Sequence, residues 1–372
     1  MKRAAGFSMI ELMVSVAILV SVVGVALKVI VDAQHANEGV TLLGETNANL
    51  RASMTFMGRD IIQAGEGIPQ SGIPYPQGGA AVAINWPAPP TKTYKYPLPA
   101  PLPQGSYLTP VAPEAGLGLV VSGAPTDMVT VMFVDNSLVD AAGNTLNAYP
   151  VVNPAPAKQI CNGVFAIDAS NVTFDKNCVN IAGNSGIKAG DLIMFSSNVT
   201  AGTAIQTVTS VSGQEVFFAK SDAFNFNGQI AKATGGTMAQ LENPSGSGLW
   251  PSTTAARVKM VTYYIDSAAN PLQPQLMRMI NFNTPEPVGQ GIEDLQISYG
   301  IANSNNPALY GAVGPGNTKY PLGTDTPANI REVNLFVAAR SENAYSQNGQ
   351  FFRNNMVTKI CVRSLSFVNI YN

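Results

Sequence analysis

Three groups of residues have the types and spacing to do chemistry. The first is Gly6-Phe7-Ser8-Met9-Ile10-Glu11, where a lone carboxylate sits inside an otherwise apolar stretch. A central carboxylate at membrane depth costs about 2.5–3.5 kcal/mol on insertion scales, so Glu11 is a functional candidate. The second group is Cys161 and Cys178, which enclose a 16-residue loop and flank a candidate β-hairpin. In an exported domain a disulfide there would stabilise by about 3 kcal/mol, and the pair is favoured over two free thiols. Cys361 is left over in the alternating run Ile360-Cys361-Val362 and reads as a buried small hydrophobe. The third group is two clusters of acids and amides, Asp135/Asn136/Asp140/Asn144 and Asp168/Asn171/Asp175/Asn177. Calcium takes oxygen-rich loops, but neither cluster has EF-hand order, and polar hairpin loops are the better reading.

No catalytic constellation accompanies them. The 372-residue chain has one histidine, His35, which leaves no basis for Ser-His-Asp or histidine-rich metal chemistry. A solvated or interfacial His35 is expected. With no Gly-rich phosphate loop, catalytic carboxylate pair or nucleophile motif, an enzyme is the least supported class, and no cofactor or metal is expected. The formal charge of −2, with scattered Lys and Arg, excludes a basic nucleic-acid-binding domain. Charged residues make up 12%, against the roughly 25% of an ordinary domain, while 46% are hydrophobic, enough for a core. Low charge with much Gly, Asn, Thr and Ser suits β-structure with long loops outside the cytosol. Tyr263, Tyr264, Phe336 and Phe367 most simply pack a sheet, since an aromatic platform for DNA would want basic neighbours.

The element that must position Glu11 follows from hydropathy. After a short basic start with Lys2 and Arg3, residues 7–31 are almost wholly apolar apart from Glu11 and Lys28. About 20 such residues span a membrane, so this stretch qualifies if Glu11 and Lys28 sit near the two interfaces. The positive-inside tendency then puts everything after Lys28 outside the inner membrane. An Ala-x-Ala site, the mark of an ordinary secretory signal, does not end the run. Beyond it Val40, Leu43, Leu50, Met54, Met57 and Ile61 make a narrow stripe, with Asn47 at the missing step, predicted to lie on a globular domain. With no proline before Pro69 and a stop at Gly65 and Gly67, one helix is predicted over residues 7–64, about 87 Å long.

Residues 65–116 hold 12 of the 26 prolines and four charges, and are predicted to be loop or extended chain without a stable core of their own. Residues 127–134 alternate and are rich in β-formers. Short strands are predicted at 160–167, 171–174, 191–195, 204–210 and 216–219, with a tight turn at 188–191 and loop over 221–256. Longer strands follow at 258–265, 275–280, within 290–300, and at 330–338 and 358–366.

Gly6-Phe7-Ser8-Met9-Ile10-Glu11-Leu12-Met13-Val14 resembles the class III signal of type IV prepilins and pseudopilins. The resemblance implies cleavage after Gly6 by a prepilin peptidase, which also methylates the new N-terminal Phe7. It implies that Glu11 neutralises a neighbouring N-terminal amine in the filament. The implied partners are that peptidase, other minor and major pilins, and the inner membrane before assembly, with the head outside the cytoplasm and in the pilus afterwards. The succession Tyr-Tyr-Ile-Asp at 263–266, Leu-Met-Arg at 276–278, Gly-Ile-Glu-Asp-Leu-Gln-Ile-Ser-Tyr-Gly at 291–300 and Ile-Arg-Glu-Val at 330–333 resembles PilW-type minor pilins. More loosely it resembles minor pseudopilin J of type II secretion. Together these likenesses cover residues 1–64 and 257–340.

The expected fold is α+β and type IV pilin-like: a long N-terminal transmembrane and amphipathic helix packed on an antiparallel β-sheet. The expected order is leader 1–6, helix 7–64, Pro-rich connecting loop 65–117, inserted β-rich region 118–256 and C-terminal pilin-type sheet 257–372. The expected function is that of a minor type IV pilin in pilus assembly or initiation. A tip position is expected because so large a head would clash if repeated along a filament. Two alternatives stay open: a tip adhesin or ligand-binding pilin acting through the inserted region, and a type II secretion pseudopilin.

Overall fold

The structure is a computed structural model. It describes residues 8–75, 83–98, 107–137, 149–150, 178–181, 186–197, 202–213, 215–219, 222–227, 236–241, 253–301, 308–312, 318–319 and 327–365. Gly6, Phe7, Cys161, Asp140, Asn144, Asp168, Asn171, Asp175, Asn177 and Phe367 lie outside these residues, as do the strand candidates at 160–167 and 171–174. Of Cys178 only its place at the start of the short strand Cys178–Asn180 is described.

Helix α1 runs Met9–Gln63 without a break, 55 residues or about 82 Å. It ends where expected: the Ala64 N–H bonds the Ile61 carbonyl, and Gly65 and Gly67 take positive φ. Gly67 is required there, because a Cβ would stand 2.7 Å from Val134 Cγ2. Residues 9–34 of the helix are exposed throughout, and from His35 onward the helix lies on the head.

Among the described residues the two largest antiparallel sheets, of eight and five strands, build most of that head. The larger contains β1 (Val111–Glu114), β2 (Met128–Val134), β3 (Leu192–Ser197), β4 (Gly202–Thr207), β5 (Thr254–Asp266), β6 (Gln275–Ile280) and β7 (Glu286–Gln290), with the short strand Tyr149–Pro150. The smaller has the order β10-β9-β8-β11-β12, from β8 (Ile292–Ile301), β9 (Ala308–Ala312), β10 (Thr318–Lys319), β11 (Ile330–Arg340) and β12 (Arg353–Cys361). Strand β5 organises the larger sheet. One edge takes β3 along its first half and β6 along its second; the other takes β2 from Val258↔Val134 to Tyr263↔Val129.

Both faces of that sheet are covered, which explains why β2 is buried at every position. Val129, Val131 and Phe133, with Val261, Tyr263 and Ile265 of β5, join a core with α1, β8 and β11. Met132 and Val134, with Val258 and Met260, join a second core containing Trp86, Tyr96, Leu108, Phe224 and Phe226. Residues of the Pro-rich segment thus supply part of a core shared with β2, β3 and β5. Proline spacing hides this, because the segment crosses the sheet as short pieces such as Ile84–Trp86 paired with Tyr94–Tyr96. Likewise β2 and β3, from the region read as an insertion, pair directly with β5, so position 256 falls inside a strand.

Three local expectations need correction. The stripe residues Val40 and Leu43 are 71% and 41% exposed, and Leu42 and Thr46 are buried instead. The contact face rotates there because the turn after β11 reaches around the helix: a Cβ on Gly39 would meet Phe352 and Tyr345 at 3.5 and 3.6 Å. The last strand starts at Arg353 and stops at Cys361, followed by a short 3-10 turn, Arg363–Leu365. Its polar start, Arg353-Asn354-Asn355, lies at the sheet edge and carries no apolar signal. Cys361 is exposed, not buried, because Ile360 and Val362 take the inward phase.

Candidate functional site

The N-terminal half of α1 is the first candidate. Ser8 is its N-cap: the Ser8 hydroxyl accepts from Ile10 N at 3.3 Å, and Ser8 N donates to Glu11 Oε2 at 3.0 Å, a capping box. Glu11 is therefore placed by helix physics in the first turn, where the macrodipole favours a carboxylate, and it is exposed. Further along, the Ser15 and Ser21 hydroxyls donate to the Glu11 and Ala17 carbonyls at 2.7 and 2.9 Å. Those polar groups are satisfied inside the helix, as a lipid-facing helix needs. An 18-residue window here has mean hydropathy 2.7 and no part of it is buried. Such a rod needs lipid or other helices around it.

Residues 1–27 match the family model of the prokaryotic N-terminal methylation motif. That motif marks a type IV pilin or pseudopilin type of protein, a structural class and not an enzymatic one. Comparison with curated proteins and with solved structures finds no match. The exposed apolar helix fits membrane anchoring by this motif.

The remainder of α1 is held on the head by polar groups that hydropathy does not show. Asp60, 1% exposed, accepts from Tyr263 Oη at 2.6 Å and from Arg278 Nε at 2.7 Å, joining the helix to β5 and β6. Burial, reinforced by the Asp60 charge, holds the Tyr263 hydroxyl well above its ordinary range. Burial opposes the Arg278 charge, but the Asp60 hydrogen bond and charge outweigh it, and its pKa is raised. Ser53 faces Gly289 of β7, where a Cβ would overlap the Ser53 hydroxyl; glycine is what lets strand and helix meet. Nearer the exposed apolar part of the helix, Ser346 donates its N–H to Glu38 Oε1 at 3.2 Å and its hydroxyl to Glu38 Oε2. These bonds from Ser346, aided by His35, hold the Glu38 carboxyl below its usual range. His35 Nδ1 lies 2.9 Å from the same hydroxyl and its ring meets Tyr345 edge-on, so His35 is a docking residue.

The acid–amide cluster at 135–136 is committed to the protein itself. Asp135 pairs with Arg257 and, at 3.0 Å, with Lys259, and Asn136 donates to Glu66 at 2.7 Å. Burial would raise the Asp135 pKa, but hydrogen bonds from Ser137 and Lys259 and the Arg257 charge lower it to about 2. Two cations at these oxygens leave no room for a third. Elsewhere Trp86 Nε1 donates to Glu114 Oε1 at 2.6 Å, and Asp127 accepts from Gly116 N and Ile297 N, both at 2.7 Å. Burial pushes Glu114 up to about 8 and Asp127 to about 6. Sequence spacing carries no mark of either, since the partners come from different strands.

Proposed function

We propose that this protein is a minor subunit of a type IV pilus. The support is the methylation motif over residues 1–27, continuous with an apolar helix of which an 18-residue window is wholly exposed. A prepilin peptidase removes residues 1–6 by cutting after Gly6, and Phe7 becomes the methylated N-terminus. The precursor waits in the inner membrane with its head outside the cytoplasm. On assembly the helix leaves lipid for a bundle of other minor and major pilin helices. Glu11 then offsets a neighbouring N-terminal amine, which a dry bundle would otherwise leave unpaired. The head is too large to repeat closely, which favours a low-copy place in the initiation complex or at the tip.

The test is mass analysis of the mature protein coexpressed with its prepilin peptidase. The expected product lacks six residues and begins with a methylated Phe7, and Gly6→Ala blocks the cut. Unchanged processing in Gly6→Ala refutes the assignment. Deletion of the gene separates a pilus from a secretion pseudopilus: loss of pili supports the first, loss of secretion with intact pili the second.

A further inference from the structure

A groove of about 960 Å³ runs between the second half of α1 and the edge strand β12. Met54, Gly58 and Ile62 of the helix form one wall, and Met356, Val357 and Ile360 of the strand the other. Gly58 opens it, since the nearest neighbour a Cβ there would meet is Ile360 Cδ1, at 3.7 Å. Val357 and Ile62 remain 68% and 47% exposed.

Two further observations say what covers it. First, β12 pairs with β11 through nine consecutive residue pairs, Glu332↔Cys361 to Arg340↔Arg353, without a register shift. Among the described residues its other edge has no partner strand. Exposed edges are ordinarily blunted by proline, bulges or short length. This one is regular over nine residues, about 30 Å, and contains no proline. Second, the charges lining the groove have one sign: Arg51, Lys359 and Arg363, with no acid. Lys359 lies 2.7 Å from Glu332, but among the described residues Arg51 and Arg363 have no acidic side chain within ion-pair distance. A cationic, apolar groove beside an open strand edge, in a chain of net charge −2, complements an extended segment that alternates apolar and acidic residues.

We infer that β12 and this groove dock such a segment from the head of a neighbouring pilin-type subunit, which adds as a further strand. Main-chain hydrogen bonds along β12 hold it, its apolar side chains fill the groove, and its carboxylates meet Arg51 and Arg363. This rests on the reading that the chain assembles with other pilin-type subunits.

The test places benzoylphenylalanine at Val357 and, separately, at Ile18 in the exposed apolar helix. The full chain is expressed in host cells with each other pilin-type subunit tagged in turn. The Val357 probe is expected to form an adduct with one tagged subunit, mapping to a peptide that carries Asp or Glu between apolar residues. The pair Arg51→Glu and Arg363→Glu, both on exposed side chains, is expected to lower that yield about tenfold while leaving the Ile18 adducts unchanged. Reversed charges in the partner peptide should restore it. Adducts at Ile18 with none at Val357, adducts at Val357 only with lipid or a second copy of this chain, or a yield indifferent to charge reversal would each overturn the groove assignment alone. No adduct at either position overturns the assembly reading and the groove with it.

Discussion

Glu114→Gln is expected to flatten the pH dependence of stability between about pH 5 and pH 8. Glu114 is fully buried, and its carboxyl titrates near 8 instead of the ordinary 4.5. Burial is the main cause, only partly offset by hydrogen bonds from Thr130 and Trp86. The folded protein thus keeps a proton that the unfolded chain has released. The stabilisation is complete below about pH 4.5, falls by about 1.4 kcal/mol per pH unit, and is gone above about pH 8. Across the window the loss is on the order of 4–5 kcal/mol, a large share of a domain's stability. Glutamine keeps an acceptor for Trp86 and has no proton to lose. Asp127, pushed up to about 6, contributes with the same sign at the acid end, and it is present in both proteins. The difference between variant and wild type therefore isolates Glu114. The assay is urea unfolding of the full chain in detergent micelles at several pH values. Trp86, one of two tryptophans, is stacked on Tyr96 beside Glu114 and reports the site by fluorescence. The variant should gain on the wild type by about 4 kcal/mol from pH 5 to pH 8. Parallel curves over that range would refute a carboxyl held neutral by burial.

Asp60→Ala strands Arg278 and the Tyr263 hydroxyl in the helix–head interface and should cost about 3–5 kcal/mol in the same assay; a loss below about 1 kcal/mol would show that the network does not anchor the helix. Gly289→Ala drives a methyl into Ser53 and should cost about 1–3 kcal/mol, and Ser53→Ala should recover much of it, so additive effects in a double-mutant cycle would deny the contact. Glu11→Val should spare leader cleavage yet reduce assembly, which counting surface pili measures; wild-type piliation would remove the charge-pairing role.

The extent of α1 and its apolar first part were legible in residue order alone, because a membrane-depth helix makes all its backbone hydrogen bonds within itself and needs no particular partner face. Ser8 and Glu11 show the same locality: the cap joins residues three apart, so chain and site coincide. Strand β6, Gln275–Ile280, was equally readable, as was β2 as a β-rich run. The burial of the proline-rich segment was not, because its core partners lie on β2, β3 and β5, which only the fold brings against it. Nor were Asp60 and Glu114, polar residues at apolar depth: whether a buried acid is paired or neutral depends on which strands fold past it. The phase of Cys361, the rotation of the helix face near Gly39, and the meeting of three cations at one strand edge share that origin. Local periodicity is a property of the chain, and it determined the elements; which faces meet is set by long-range pairing, and only the tertiary structure decided it.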